Sequence, residues 1–181
     1  MEYIDLYDMH RIPTGKTILR GSPVPEGMYR VVVHICIFNS KGEMLIQQRQ
    51  STKKHFPDMW DISVGGQVSS GETSELAAQR EIYEELGLDI DMSDMRPLAS
   101  MSFNEGYDDV YAVISDVQLS QLILQKEEVK AADWADKDKI FAMIKAGTFI
   151  QYNFEYIAML FSLRDQIGTF EQDDLWNESD S

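Results

Sequence analysis

One cysteine in 181 residues, Cys36, leaves no disulfide to form within the chain. That fits a reducing compartment, and the cytoplasm is the expected location. Cys36 lies in the apolar run VVVHICIF and reads as a core residue. Basic charge is scarce as well: 16 Lys and Arg face 31 Asp and Glu, a formal charge of −15. Such a balance argues against gripping a nucleic-acid polymer by its phosphates, and an anionic substrate would need metal or a local cluster of bases to approach. No apolar run approaches the roughly 18–20 residues that span a membrane, so no membrane partner is expected. The opening MEYIDLYDMH has neither the basic start nor the apolar stretch of a signal peptide. The histidines are His10, His34 and His55, which share no ligand spacing, and His34 inside an apolar strand reads as a satisfied core histidine. The rest is ordinary for a globular protein, with 44% hydrophobic and 26% charged residues in a length that suits one well-cored domain.

Turn formers (Pro13, Gly15, Gly21, Pro23, Pro25, Gly27) punctuate residues 1–28, which read as an N-terminal arm packed on the core. Residues 29–38 are apolar and β-branched almost throughout, a strand buried on both faces. Asn39-Ser40-Lys41-Gly42 then turns the chain into a second strand at 43–49, giving a hairpin. Residues 60–64 read as one short strand, with Trp60 in the core. Thr73 is the expected N-cap of a helix running to Leu86, with Gly87 as its stop. Strands follow at 98–103 and 109–115, joined by the acidic turn NEGYDD, and a last strand at 129–134. Helical periodicity marks 137–145 and 153–164, where Phe154, Tyr156 and Phe161 fit a packing stripe. The main domain is thus placed at 29–168, and 169–181 is an acidic tail expected to fray.

The stretch 66–88, GQVSSGETSELAAQREIYEELGL, concentrates like charges. At about 100° per residue, Glu81, Glu84 and Glu85 share one arc of the helix, while Leu76, Ala78, Ile82, Tyr83 and Leu86 are expected on the opposite, docked side. Carboxylates at i,i+3 and i,i+4 repel by about 0.2–0.5 kcal/mol per pair. Glu84 and Glu85 also occupy the last turn, where the helix dipole prefers cations. Three glutamates with two local penalties exceed what a solvated face explains. A divalent cation removes both penalties, since oxygen-rich clusters suit Mg²⁺ or Mn²⁺. Gly65-Gly66 and Gly71, in front of the helix, let main-chain groups come close to a ligand.

Gly66, five residues, Glu72, seven residues, then Arg80-Glu81-Ile82-Tyr83-Glu84-Glu85-Leu86-Gly87-Leu88 resembles the Nudix box at every defined position. The resemblance implies an α/β fold, an α/β/α sandwich around a mixed β-sheet with the box as loop–helix–loop. It also implies hydrolysis of a small-molecule diphosphate with Mg²⁺ or Mn²⁺, in a family where homodimers are frequent. Carried over residue by residue, Glu81, Glu84 and Glu85 become metal ligands, and one of them acts on the attacking water directly or through the metal. Arg80 would fix their rotamers, Glu72 would buttress the loop, and Gly66 would carry the backbone turn and offer its carbonyl to metal. Many relatives complete the site with an acid from a later loop; the candidates are Glu105, Asp108, Asp109, Glu127 and Glu128, with Glu127 and Glu128 foremost. Arg49, ending a strand that borders the substrate cleft in relatives, is the candidate contact for a substrate phosphate.

A second resemblance competes. DLYDMHRIPTGKT and IQQRQSTKKHFPDMWDIS are similar to the corresponding parts of isopentenyl-diphosphate isomerase, which protonates an alkene. That family uses a cysteine after the tryptophan-containing strand and a histidine-rich metal site. Here Gly65 stands where the cysteine belongs, Gln67 replaces one histidine, and Arg20 and Arg30 lie near two others. The expectation is therefore a hydrolase, with an isomerase-like enzyme and a non-catalytic Nudix ligand-binding domain as alternatives. The box leaves the substrate's other moiety open.

Overall fold

The computed structural model describes residues 1–165, so the tail placed at 169–181 lies outside the described residues. In chain order the elements are β1 (Tyr3–Tyr7), β2 (Pro13–Leu19), β3 (Arg30–Phe38), β4 (Met44–Arg49), β5 (Trp60–Asp61), β6 (Val64–Gln67), α1 (Ser74–Leu86), β7 (Ala99–Phe103), β8 (Gly106–Ile114), β9 (Val129–Ala135), α2 (Lys137–Lys145) and α3 (Phe154–Leu163). β3 organises them through the two-residue period of a strand. Val31, Val33, Ile35 and Ile37 point into a core shared with Ala77, Ala78, Ile82 and Leu86 of α1. Cys36 and Phe38 point into a second core with Ile140 and Ile144 of α2 and Ile157 and Leu160 of α3. The sheet is thus covered on both faces, an α/β/α arrangement.

Seven strands make one mixed sheet, in the order β5-β4-β3-β8-β7, with β6 also on β3 and β9 on β4. β3 and β8 run parallel, in register from Arg30–Gly106 to Phe38–Ile114, and β6 and β7 are antiparallel to their neighbours. β1 and β2 form a separate antiparallel ribbon, tied on by a bridge between Tyr7 and Tyr29 and by the burial of Ile4 and Leu6. No helix among the described residues is long and apolar enough to cross a membrane.

Four local expectations change. The hairpin at 29–38 and 43–49 meets only at Phe38 and Met44; beyond that pair β4 departs to bond β5 and β9. The single strand expected at 60–64 is two, because the chain crosses at Ile62-Ser63 from β4 to β3. Ser63 pins that splay, its hydroxyl donating to the Leu45 carbonyl (2.5 Å) and accepting from the Ile37 N–H (2.8 Å). The turn before β8 shrinks to Asn104-Glu105 because the strand already begins at Gly106, where a Cβ would lie 2.0 Å from the Arg30 carbonyl oxygen.

The fourth change concerns α1. Its buried residues are Ala77, Ala78, Glu81, Ile82, Glu85 and Leu86, whereas Leu76 and Tyr83 are 51% and 64% exposed. Two small alanines let the backbone approach the sheet, and Ile82 and Leu86 supply most of the apolar gain, about 1.5–3 kcal/mol each. The docked face therefore carries two of the three glutamates with it.

Candidate functional site

α1 is placed by its ends. Gly71 turns the preceding loop at φ 82°, and Thr73 takes the extended N-cap conformation. Gly87 closes the helix at φ 69°, where its N–H donates to the Tyr83 carbonyl. Between these ends Arg80 gathers the acids. Its Nε and Nη2 donate to the two oxygens of Glu72 at 2.8 and 2.9 Å, a bidentate pair, and Nη2 also donates to the Gln67 carbonyl at 3.0 Å. Its Nη1 donates to Glu81 at 2.8 Å and Glu84 at 3.2 Å. Glu72 in turn accepts from the Ser69 N–H, which fastens the loop. The hydrogen bonds from Arg80 hold the Glu72 carboxyl below the ordinary glutamate range.

Glu81 and Glu85 are 5% and 6% exposed, one helical turn apart, while the side chain of Glu84 is 47% exposed. Burial pushes the Glu81 pKa up against the pull of Arg80. Among the described residues no cation pairs with Glu85; its hydrogen-bond partner is the neutral Gln47 amide at 2.8 Å. Burial therefore raises its pKa to about 8, against the Gln47 hydrogen bond and helped by the charges of Glu81, Glu128 and Asp61. Gly66 lies in β6 with ordinary backbone geometry, so it carries no turn; its missing side chain is what counts, because a Cβ there would sit 2.1 Å from Cδ of Glu81.

Clustered carboxylates, one of them buried without a counter-charge, form a donor set that fits a hard divalent cation. Among the described residues no three Asp, Glu, His or Cys side chains already converge as a ligand group: Glu81 and Glu84 lean on Arg80, and Glu85 on Gln47.

The remaining sequence candidates disperse. Glu128 is half-buried and paired with Lys53, close enough for its charge to act on Glu85, whereas Glu127 is exposed. Asp109 is fully buried between Arg11 and Ser100, and Glu105 pairs with Arg30 at 3.5 Å. Arg49 is engaged by Asp61 (3.3 Å) and the His55 carbonyl (3.2 Å) and is absent from the wall of the neighbouring cavity.

That cavity, about 780 Å³, opens from Gly66 and Gln67 toward the start of α3. Its cationic residues are Arg20 and Arg30, and its wall includes His34, Asp108, Tyr152 and Tyr156. His34, expected as a satisfied core residue, instead faces this space with its side chain 26% exposed and Nδ1 2.7 Å from Oδ2 of Asp108. Burial disfavours the charged ring, but the Asp108 carboxylate outweighs it and lifts the His34 pKa above the ordinary value. Tyr156, expected in a packing stripe, also lines the cavity, and its hydroxyl is buried with no partner among the described residues. The sequence signal for these residues was the polar interruption of an apolar strand at Arg30 and His34, an even-numbered register of β3.

Residues 28–156 match the NUDIX domain family. An uncharacterized Nudix hydrolase of Listeria monocytogenes is 46% identical over 165 residues, covering 91% of this chain and 96% of that protein. The crystal structure of DR0079 from Deinococcus radiodurans superposes with a TM-score of 0.73 at 32% identity, over 87% of this chain and 98% of that one. Isopentenyl-diphosphate Delta-isomerase 2 of Photorhabdus laumondii is 29% identical over 149 residues, 79% of this chain and 82% of that protein.

Proposed function

This chain belongs to the Nudix hydrolase family, and from that premise we propose that it hydrolyses a diphosphate linkage in a small-molecule substrate, with Mg²⁺ or Mn²⁺ held by Glu81, Glu84 and Glu85. One observation carries the reading: Glu85 is a carboxylate 6% exposed whose side-chain hydrogen-bond partner among the described residues is an uncharged amide. A fold under selection for stability alone would not bury it so. A cation bound there supplies neutralisation of the diphosphate and acidification of a water.

The chain's own residues do the positioning. Arg80, braced by both oxygens of Glu72, holds Glu81 and Glu84 in fixed rotamers at the edge of the site. Gly66 leaves the room that the Glu81 carboxyl occupies, and its carbonyl is a further candidate ligand. Glu128 is the auxiliary acid nearest the site, with Lys53 as its present partner. Arg20 and Arg30 put guanidinium groups on the cavity wall, each paired with a glutamate, Glu2 and Glu105, in a chain of formal charge −15. A buried, reduced Cys36 suits the cytoplasm.

The test is phosphate release from a panel of organic diphosphates with Mg²⁺ or Mn²⁺. Glu81→Gln and Glu85→Gln will each lower kcat by orders of magnitude with the circular dichroism spectrum retained. Full activity in excess chelator, or in both variants, refutes the proposal.

A further inference from the structure

The ribbon of β1 and β2 lies ahead of residues 28–156, where the family domain is matched, yet it holds the turn that leads into the glutamate helix. Along β1 the two-residue period buries Ile4 and Leu6 and puts Asp5 on the opposite face. From there Glu2, Tyr3 and Asp5 grip residues 69–71. The Tyr3 carbonyl accepts from the Ser70 N–H at 2.8 Å. Asp5 takes the turn with both oxygens: Oδ1 accepts from the Ser70 hydroxyl at 2.6 Å, and Oδ2 from the Gly71 N–H at 2.9 Å. Glu2 accepts from the Ser69 hydroxyl at 2.8 Å.

The turn has little else to fix it. Ser70 and Gly71 are exposed, Gly71 stands at φ 82°, and the N-cap Thr73 makes no side-chain capping bond. An exposed, uncapped turn opens easily. Its geometry matters because Glu72 follows at once. The Ser69 N–H donates to Glu72 at 3.0 Å, and Glu72 in turn sets Arg80 against Glu81 and Glu84. The ribbon is itself secured away from this turn. Ile4 and Leu6 are buried, Arg11 pairs with the buried Asp109, and the Tyr107 hydroxyl donates to the Met9 carbonyl at 2.8 Å. Asp5 therefore acts from a fixed base. In a chain of formal charge −15 another carboxylate adds repulsion, so the hydrogen bonds of Asp5 explain its place better than its charge does.

We propose that Asp5 is a positioning residue for the glutamate site: by holding the turn at Ser70 and Gly71 it sets Glu72, through which Arg80 presents Glu81 and Glu84 to the cation. The inference rests on the metal-dependent hydrolase reading above and adds the N-terminal ribbon to its machinery.

Metal binding is measured without substrate, from the electron paramagnetic resonance signal of free Mn²⁺, and amide exchange at Ser70 and Gly71 is followed by NMR in chelator. Asp5→Ala removes both acceptors. It is expected to weaken Mn²⁺ binding about 10-fold, the lower end of what loss of an orienting partner costs, and to speed exchange at Gly71 at least about 10-fold. Asp5→Asn is the conservative variant: its carbonyl can accept from Gly71, and its amide can donate to a serine hydroxyl that accepts as well as donates. It is expected to restore most of both readouts. Tyr107→Phe loosens the other end of the ribbon without touching the turn, and is expected to leave both at wild-type values. Unchanged Mn²⁺ affinity in Asp5→Ala overturns the proposal, and so does an equal loss in Tyr107→Phe, which would make the effect a general loosening. A loss in Asp5→Asn as large as in Asp5→Ala would assign the effect to charge and overturn it as well. The wild type is assayed in parallel with Mn²⁺ on a panel of organic diphosphates. If the variants behave as expected but no diphosphate is cleaved, the positioning role stands and the hydrolase reading falls. If diphosphates are cleaved and Asp5→Ala binds Mn²⁺ like the wild type, the positioning role falls alone; a wild type that binds no Mn²⁺ removes both.

Discussion

Replacing Glu85 by glutamine will stabilise the metal-free protein, and by more as the pH rises. An unperturbed glutamate titrates near 4.5, whereas burial holds Glu85 up to about 8 in the folded protein. Between those values the native state carries a proton that the unfolded chain has lost. Stability therefore falls with rising pH across that window, by about 1.4 kcal/mol per unit, and the fall is complete once the pH passes about 8. The whole effect is on the order of 5 kcal/mol, a large fraction of the 5–15 kcal/mol typical of a domain. No discount for solvent screening applies to a residue 6% exposed. Glutamine is neutral at every pH and keeps an oxygen for the Gln47 amide. In excess chelator, Glu85→Gln will match the wild type near pH 5 and exceed it by roughly 3–5 kcal/mol at pH 8.5. Millimolar Mg²⁺ narrows the gap, because native-state binding raises wild-type stability by about 2.7 kcal/mol at a hundred times Kd and the variant has lost a ligand. Urea unfolding from pH 5 to 9, followed by tryptophan fluorescence, reads both effects. Parallel pH profiles for the two proteins in chelator would refute the assignment of Glu85 as a buried, uncompensated carboxylate.

Three further outcomes follow from the same geometry. Gly66→Ala places a methyl group 2.1 Å from Cδ of Glu81; because the flexible carboxyl can yield, the expected loss is about 1–3 kcal/mol in stability, with a much larger loss of Mg²⁺-induced thermal stabilisation. Arg80→Lys cannot reproduce the bidentate grip on Glu72, and is expected to lower metal affinity or turnover about 10–100-fold, as loss of a ligand-orienting partner does. Isopentenyl diphosphate in heavy water is expected to gain no deuterium with this protein, measured by mass spectrometry, since Gly65 offers no thiol; label above background would restore the isomerase reading.

The fold was legible where periodicity and punctuation agree. The apolar run at β3, the caps of α1 at Thr73 and Gly87, and the α2 and α3 patterns all carry local signals that tertiary contacts only reinforce. Local signal failed where pairing is decided at a distance. Nothing in residues 60–64 announces that Ser63 will bridge two diverging strands, because its partners, Leu45 and Ile37, are distant in sequence. The face of α1 was misjudged for a related reason. Hydrophobicity placed Leu76 and Tyr83 inside, but the close approach permitted by Ala77 and Ala78 rotates Glu81 and Glu85 inward instead. Like-charge repulsion along this helix is smaller than the spacing of its glutamates implies. Arg80 stands between Glu81 and Glu84, and a pKa near 8 keeps Glu85 largely protonated at neutral pH, so the metal-free helix bears less like charge than its sequence suggests.

The isomerase resemblance acquires a physical meaning at Gly65. A side chain there and the His34 ring compete for one space, since a Cβ would approach Cδ2 and Nε2 of His34 to 2.7 and 3.1 Å. With glycine at 65, the ring lies against β6 and meets Asp108 across the parallel β3–β8 pair, two strands whose register sets Val32 beside Asp108. A cysteine at that position would crowd the imidazole and force it to shift against Asp108. The thiol of an isomerase and the His34–Asp108 pair therefore compete for the same wall. Arg30 reinforces the difference, since a guanidinium lines the cavity where the isomerase pattern expects a metal-binding imidazole nearby. The N-terminal arm and the strand framework are compatible with either chemistry; the substitution at 65 and the residues it admits determine which one the cavity beside the glutamates can serve.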